Sequence, residues 1–200
     1  IVSDDIASAS NEDKSKRRGI AGLILAFKIA GACSENGATL EEVYNLTLKA
    51  NDNLRTIGVA VSSCILPEVG KPTFELKNDE IEIGMGIHGE PGIKREKLKK
   101  ADLLVDDLCK LIFEDFEMSN SDKVSIMINS LGATPLEELY IVSRRVNEIF
   151  SKKNIEIVKS YVGRYATSLE MAGMSISVLR LDDDLKNALL DHSECPFWIN

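Results

Sequence analysis

The segment KVSIMINSLG (residues 123–132) is largely apolar along its whole length. A short run of this kind is the signature of a strand covered on both sides, which a sheet provides only when other layers flank it. The next segment narrows the choice. TPLEELYIVSRRVNEIF (134–150) has helical spacing, with Thr134 as N-cap, Pro135 at the first helical position and Glu137 at N3. Strand-like sequence then returns at IEIVKSYVGRYAT (155–167) and MSISVLRL (174–181). Strand, helix and strand in this order belong to one α/β domain.

The amino-terminal part fits the same frame. SASNEDKSKRR (8–18) is polar and reads as an exposed loop. GIAGLILAFKIAGA (19–32) opens a buried helix that closes at Asn36-Gly37, a good left-handed cap. Thr39 and Glu42 form a capping box for a second helix over 40–53, with Val43, Leu46, Leu48 and Ala50 as expected core contacts. TIGVAVSSC (56–64) is β-type, and TFEL (73–76) and EIEIGMGI (80–87) flank a turn and suggest a hairpin. The spacing predicts a helix over 93–117, beginning with the basic run KREKLKK, and a short last helix over 183–190. The expected fold is α/β: a two-layer domain with a mixed, about six-stranded sheet and helices mainly on one face.

Charge and cysteine usage exclude some functions. A net charge of −8 argues against a general nucleic-acid surface, which needs a basic face. Cys33, Cys64, Cys109 and Cys195 lie far apart without a CxxC pair, so no zinc site is expected and reduced thiols in a cytoplasmic protein fit best. No apolar run approaches the length of a membrane span. The first residues, Ile-Val-Ser-Asp-Asp, resemble neither a signal peptide nor a natural start, so a cut inside a longer chain is expected.

One stretch, GMGIHGEPG (84–92), demands a chemical account. Strict alternation puts Ile81, Ile83, Met85 and Ile87 on one face and Glu80, Glu82, Gly84, Gly86 and His88 on the other, with room above the glycines. His88 has two readings. It is a structural residue whose ring is satisfied by a backbone carbonyl, or it is a nucleophile. Glycines at 84, 86, 89 and 92 permit close backbone approach, Gly86 and Gly89 being the positions assigned to substrate contact. Glu90 is near enough in sequence to orient the imidazole. A neutral imidazole held at one nitrogen is nucleophilic at the other, and a ketone carbon is a natural target.

Other stretches are weaker. NSLGATPLEELY (129–140) is either a well-capped connection or an anion site at a helix N-terminus, but it lacks the nucleotide-binding lysine element. GRYATSLEMAG (163–173) shapes a pocket or makes a turn. KSKRR (14–18) and KREKLKK (94–100) read as solvated faces, the second also as a surface for an acidic protein partner.

In this order and spacing, GMGIHGEPG, NSLGATPLEELY and RYATSLEMAGMSISVLRLDDD resemble the substrate-binding subunit of the dihydroxyacetone kinase family, as do RRGIAGLILAFKIAGA and SSCILPEVGKPTFEL. The resemblance implies that His88 forms a covalent hemiaminal with the carbonyl carbon of dihydroxyacetone, whose terminal hydroxyl is then phosphorylated. It implies that ATP or ADP and magnesium sit on a separate all-helical subunit, recharged by a phosphotransferase-system protein, and that this chain binds no cofactor or metal itself. A homodimer is expected, with no direct nucleic-acid or membrane partner. The family's subunit is longer. Its preceding α/β domain carries a glycine-rich loop, a substrate-binding serine and a general-base aspartate. Residues 1–200 therefore correspond to a single C-terminal domain, expected to lack kinase activity alone. The family also includes a coactivator paralogue that binds dihydroxyacetone and signals to a transcription regulator.

Overall fold

A computed structural model describes residues 2–87, 89–196 and 198–199. Its main sheet has six strands: β1 (Leu54–Ala60), β2 (Glu80–Ile83), β3 (Lys94–Lys97), β4 (Lys123–Ser130), β5 (Glu156–Gly163) and β6 (Gly173–Leu181). The spatial order is β3-β2-β1-β6-β4-β5. Only the β4–β5 pair is parallel; every other neighbouring pair is antiparallel, so the sheet is mixed as expected. The parallel pair is joined by helix α4 (Leu136–Lys152), the crossover that parallel strands require.

The alternation of β6 explains how the sheet is covered. Met174, Ile176 and Val178 face a core shared with Ile57, Val124 and Ile126. Helices α3 (Ala101–Asp115) and α4 cover this face with Leu108, Ile112, Val146 and Phe150. Leu179 and Leu181 point the other way, into a second core with Leu25, Leu54 and Met127. There α1 (Leu23–Glu35), α2 (Leu40–Asp52) and α5 (Asp183–Leu190) gather. The two longest helices thus share one face, and three shorter ones form a partial layer on the opposite side. Between those layers the second face is polar but satisfied: Thr56 donates to Ser177 at 2.7 Å and Asn129 to Ser175 at 3.2 Å.

Several local expectations are met. Gly37 adopts φ +81, as a left-handed cap requires, and Thr39 and Glu42 form the reciprocal capping box. Others need correction. Leu48 is exposed, because α2 buries mainly Ala50. Thr134 does not cap α4; Pro135 occupies that position without a side-chain bond, and Thr134 Oγ1 accepts from the Gly173 amide instead. The 73–76 segment is not a strand, and helix α3 begins only at Ala101.

The reason for the last difference lies in charge. Part of KREKLKK, Lys94–Lys97, becomes β3 and pairs with β2 in the register Glu80↔Lys97 and Glu82↔Arg95. Opposite charges face each other across the ladder, and Arg95 Nε donates to Glu82 at 2.8 Å. β2 therefore pairs with β3 and not, as the expected hairpin required, with 73–76. A short, lysine-bearing edge strand also discourages further pairing. The first part of β1 has a different neighbour. Residues 4–6 run beside it, with the Thr56 amide donating to Asp4 O at 2.7 Å and the Ile6 amide to Thr56 O at 3.1 Å.

Candidate functional site

Turns after β1, β2 and β4 and before β6 converge at one end of the sheet. Beneath them lies a small core of Ala60, Cys64, Met85, Leu131 and Met171, with Phe74 and Ile87 packed against it. The loops following β4 and preceding β6 are sewn together. Ala133 N donates to Met171 O at 3.0 Å, Ser168 N to Leu131 O at 2.6 Å, and the Tyr165 amide to buried Asn129 at 2.8 Å. This consumes the groups of NSLGAT in structure. Of its two readings, the connection matches the geometry, but the expected side-chain cap is missing, since Pro135 stands at the cap position of α4.

The glycine-rich segment rests on this floor as a closed loop. β2 ends at Ile83, and Gly84 turns the chain at φ +79 while its amide donates to Gly58 O at 2.7 Å. Only glycine adopts that backbone without strain. The neck is fastened twice: Ile93 N to Ile83 O at 2.8 Å, and Gly92 N to the buried Glu82 carboxylate at 2.7 Å. Inside the neck, Gly86 N donates to Glu90 O at 3.0 Å and Gly89 N to Gly86 O at 3.1 Å. Met85 and Ile87 anchor the near side of the loop in the apolar floor.

His88 lies outside the described residues, although the residues before and after it are placed. Gly86 and Gly89 are therefore brought to one tight turn. Gly89 has φ +85 and its α-carbon faces Thr73 and Phe74. Phe74 also lines a cavity of about 500 Å³ with Val61, Ser62, Leu76 and Leu98. The two-face alternation ends at Ile83, because Gly84 redirects the chain, and the part of it that falls on position 88 lies outside the described residues. The space above the glycines is also occupied. Ala7 packs on Gly84, while the Glu90 carboxylate and the Arg18 guanidinium lie over Gly86.

Glu90 belongs to an ionic chain that local sequence spacing does not reveal. Its carboxylate is 3.9 Å from Arg18 Nη1. Arg18 donates through Nε to Asp5 at 2.9 Å and through Nη2 to Gly84 O at 3.3 Å. Asp5 is buried, and burial raises its pKa despite the Arg18 charge beside it. The KSKRR segment is thus not simply solvated. Arg17 is buried against Asp115, and Arg18 reaches the loop. The signal that could have suggested this was an Arg-Arg pair directly before an apolar helix. Its partners lie far away in sequence.

A family model described as the Dak1 domain matches residues 1–197. The chain belongs to the Dak1 family. The Dak1 chain is 44% identical over 198 residues to a protein of Listeria innocua named PTS-dependent dihydroxyacetone kinase 2, dihydroxyacetone-binding subunit DhaK. That match covers 99% of this chain and 59% of the relative, so the chain spans little more than half the relative's length. Among solved structures, a dihydroxyacetone kinase operon co-activator superposes with a TM-score of 0.87 at 29% identity, covering 96% of this Dak1 chain and 59% of the other. The dihydroxyacetone kinase of C. freundii, in complex with AMP-PNP and Mg2+, gives a TM-score of 0.83 at 32% identity, covering 100% and 36%. The mixed sheet with its flanking helices is therefore a Dak1 fold. Among the described residues no helix is long and apolar enough to cross a membrane, and no cluster of ligating side chains could hold a metal.

Proposed function

We propose that this Dak1 chain is the C-terminal part of a cytoplasmic dihydroxyacetone-binding kinase subunit and captures the ketone covalently on His88. The observation that carries the reading is the loop itself. Two fastenings at its neck and an apolar floor hold the described residues on either side of position 88, and Gly89 keeps the positive φ of a close turn. The family membership and the name of the Listeria relative support the substrate.

In the proposed step, the lone pair of the unprotonated imidazole nitrogen attacks the carbonyl carbon. A C–N bond forms, the C=O π pair moves to oxygen, and that oxygen takes up a proton. The other ring nitrogen releases its proton, so the adduct is a neutral hemiaminal. Glu90 would orient the ring, and Gly86 and Gly89 would lie against the substrate. Glycerol offers no carbonyl and would be refused. The phosphoryl group then goes to a terminal hydroxyl from ATP held with magnesium on a separate all-helical partner subunit, and the ADP left there is recharged by the phosphotransferase system. The proton-abstracting groups lie in the rest of the subunit, so this chain alone would not phosphorylate. A homodimer is part of the same proposal.

The test is nuclear magnetic resonance of the complete subunit with dihydroxyacetone labelled with carbon-13 at the carbonyl. The label should move from the ketone to the tetrahedral-carbon region, and His88→Ala should abolish the shift. A labelled carbon that stays in the ketone region with the native subunit would overturn the proposal. The likeness to the operon co-activator favours a second reading, in which the same capture reports the ketone to a transcription regulator. Formation of dihydroxyacetone phosphate on adding the nucleotide-bearing partner distinguishes the two.

A further inference from the structure

We infer that Arg18, clamped by Asp5, is a positioning residue for the ketone-capturing loop and acts through Glu90; the inference rests on the function proposed above. Arg18 is fixed at both ends. Its amide donates to Ser8 Oγ at 2.9 Å, and its carbonyl accepts from the Asp5 amide at 3.1 Å. Its guanidinium is held by Asp5 through Nε at 2.9 Å and Nη2 at 2.7 Å. Asp5 is itself immobilised, with its second oxygen accepting from the Ala7 amide at 3.0 Å. A cation this firmly placed is a fixed point from which the loop can be aimed.

Two contacts do the aiming. Arg18 Nη2 donates to the carbonyl of Gly84, where the loop leaves β2, at 3.3 Å. Nη1 faces the Glu90 carboxylate across 3.9 Å, close enough for attraction in a partly buried site. The absence of a side chain at position 86 fits this arrangement. A β-carbon there would stand 2.7 Å from Arg18 Nη1 and would also meet the Glu90 carboxylate. Gly86 thus leaves the space in which the Arg18–Glu90 pair lies directly over the loop backbone. Arg18 touches no reacting atom in this account. It fixes the carboxylate that orients the imidazole, as groups behind a metal ligand fix that ligand.

The test is a double-mutant cycle in the complete subunit, reading dihydroxyacetone affinity from the carbon-13 adduct signal and stability from thermal unfolding. Arg18→Gln should weaken capture about tenfold, and Arg18→Lys, which retains the charge, should recover part of it. Once Glu90→Gln is in place, Arg18→Gln should have little further effect, because the two act as one unit. Multiplicative effects, or unchanged capture in a folded Arg18→Gln protein, would overturn the assignment while leaving the His88 adduct intact. Should Arg18→Gln fail to fold, Asp5→Asn with native Arg18 should show the same non-additivity with Glu90→Gln, and independence there would equally overturn it. No adduct in the native subunit would overturn both this inference and the function beneath it.

Discussion

Glycines at two positions illustrate how the same substitution has different consequences. At Gly86, an added methyl meets the ends of two side chains, the firmly held Arg18 and the more exposed Glu90, whose carboxylate can swing aside. At Gly173, with φ +152, it meets the fixed carbonyl of Val59 in the neighbouring strand. Gly86→Ala should therefore cost about 1 kcal/mol or less in urea unfolding and mainly disturb the proposed ketone capture. Gly173→Ala should cost about 3 kcal/mol, since strain and overpacking add. Equal costs would show that the Arg18–Glu90 pair cannot yield. Glycine-rich punctuation around residue 88 was plain in the sequence, and so was Glu90. Asp5 and Arg18 were not, because no local period links a residue before a charged stretch to one after it and to a distant loop.

Among the elements, α3 ends in a second ionic centre. Asp115 accepts from Arg17 Nη1 at 2.9 Å and from Arg55 Nε at 2.6 Å, and both guanidiniums are buried. Burial opposes ionisation of Asp115, but the two arginines outweigh it and hold its pKa below the ordinary carboxylate value. A depressed folded-state pKa gives stability that is present above the unfolded pKa and lost as pH falls through the folded one. Acid should therefore weaken the native protein in the range below the normal aspartate pKa. Asp115→Asn should remove that part of the acid sensitivity and cost about 3 kcal/mol near neutrality, because it leaves buried cations uncompensated. Urea midpoints measured from neutral pH downward check both statements. The phenyl ring of Phe116 lies between Arg55 and Arg180, each 4.4 Å from its centre, which further commits these cations to structure. Helix α3 was legible from its apolar spacing, but its first turn was misplaced. KREK reads equally as a charged helical start, and only the facing glutamates of β2 make it a strand.

At the scale of the molecule, the two cores predict which thiols are protected. Cys109 lies on the buried face of α3, in the first core, and burial pushes its thiol pKa up to about 12. Cys64 is buried in the floor beneath the loop, whereas Cys195 is exposed. At pH 8 an alkylating reagent should modify Cys195 rapidly, while Cys64 and Cys109 should react only after denaturation. Peptide mapping with and without urea would show this, and rapid native labelling of Cys109 would contradict the packing. The mixed six-stranded sheet was readable because strand and helix periods differ along the chain. The division of helices between its faces was less so, since periodicity marks an apolar face without naming the sheet surface it meets. The edge of β1 carries a further consequence, for the order of events as the chain folds. Its first half is completed by residues 4–6 and its second half by β2 and Gly84, pieces that lie on either side of it in the sequence. Contacts within helices close quickly, while a seam stitched from distant segments closes late. During refolding, helical circular dichroism should return before the glycine-rich loop after β2 has taken its shape.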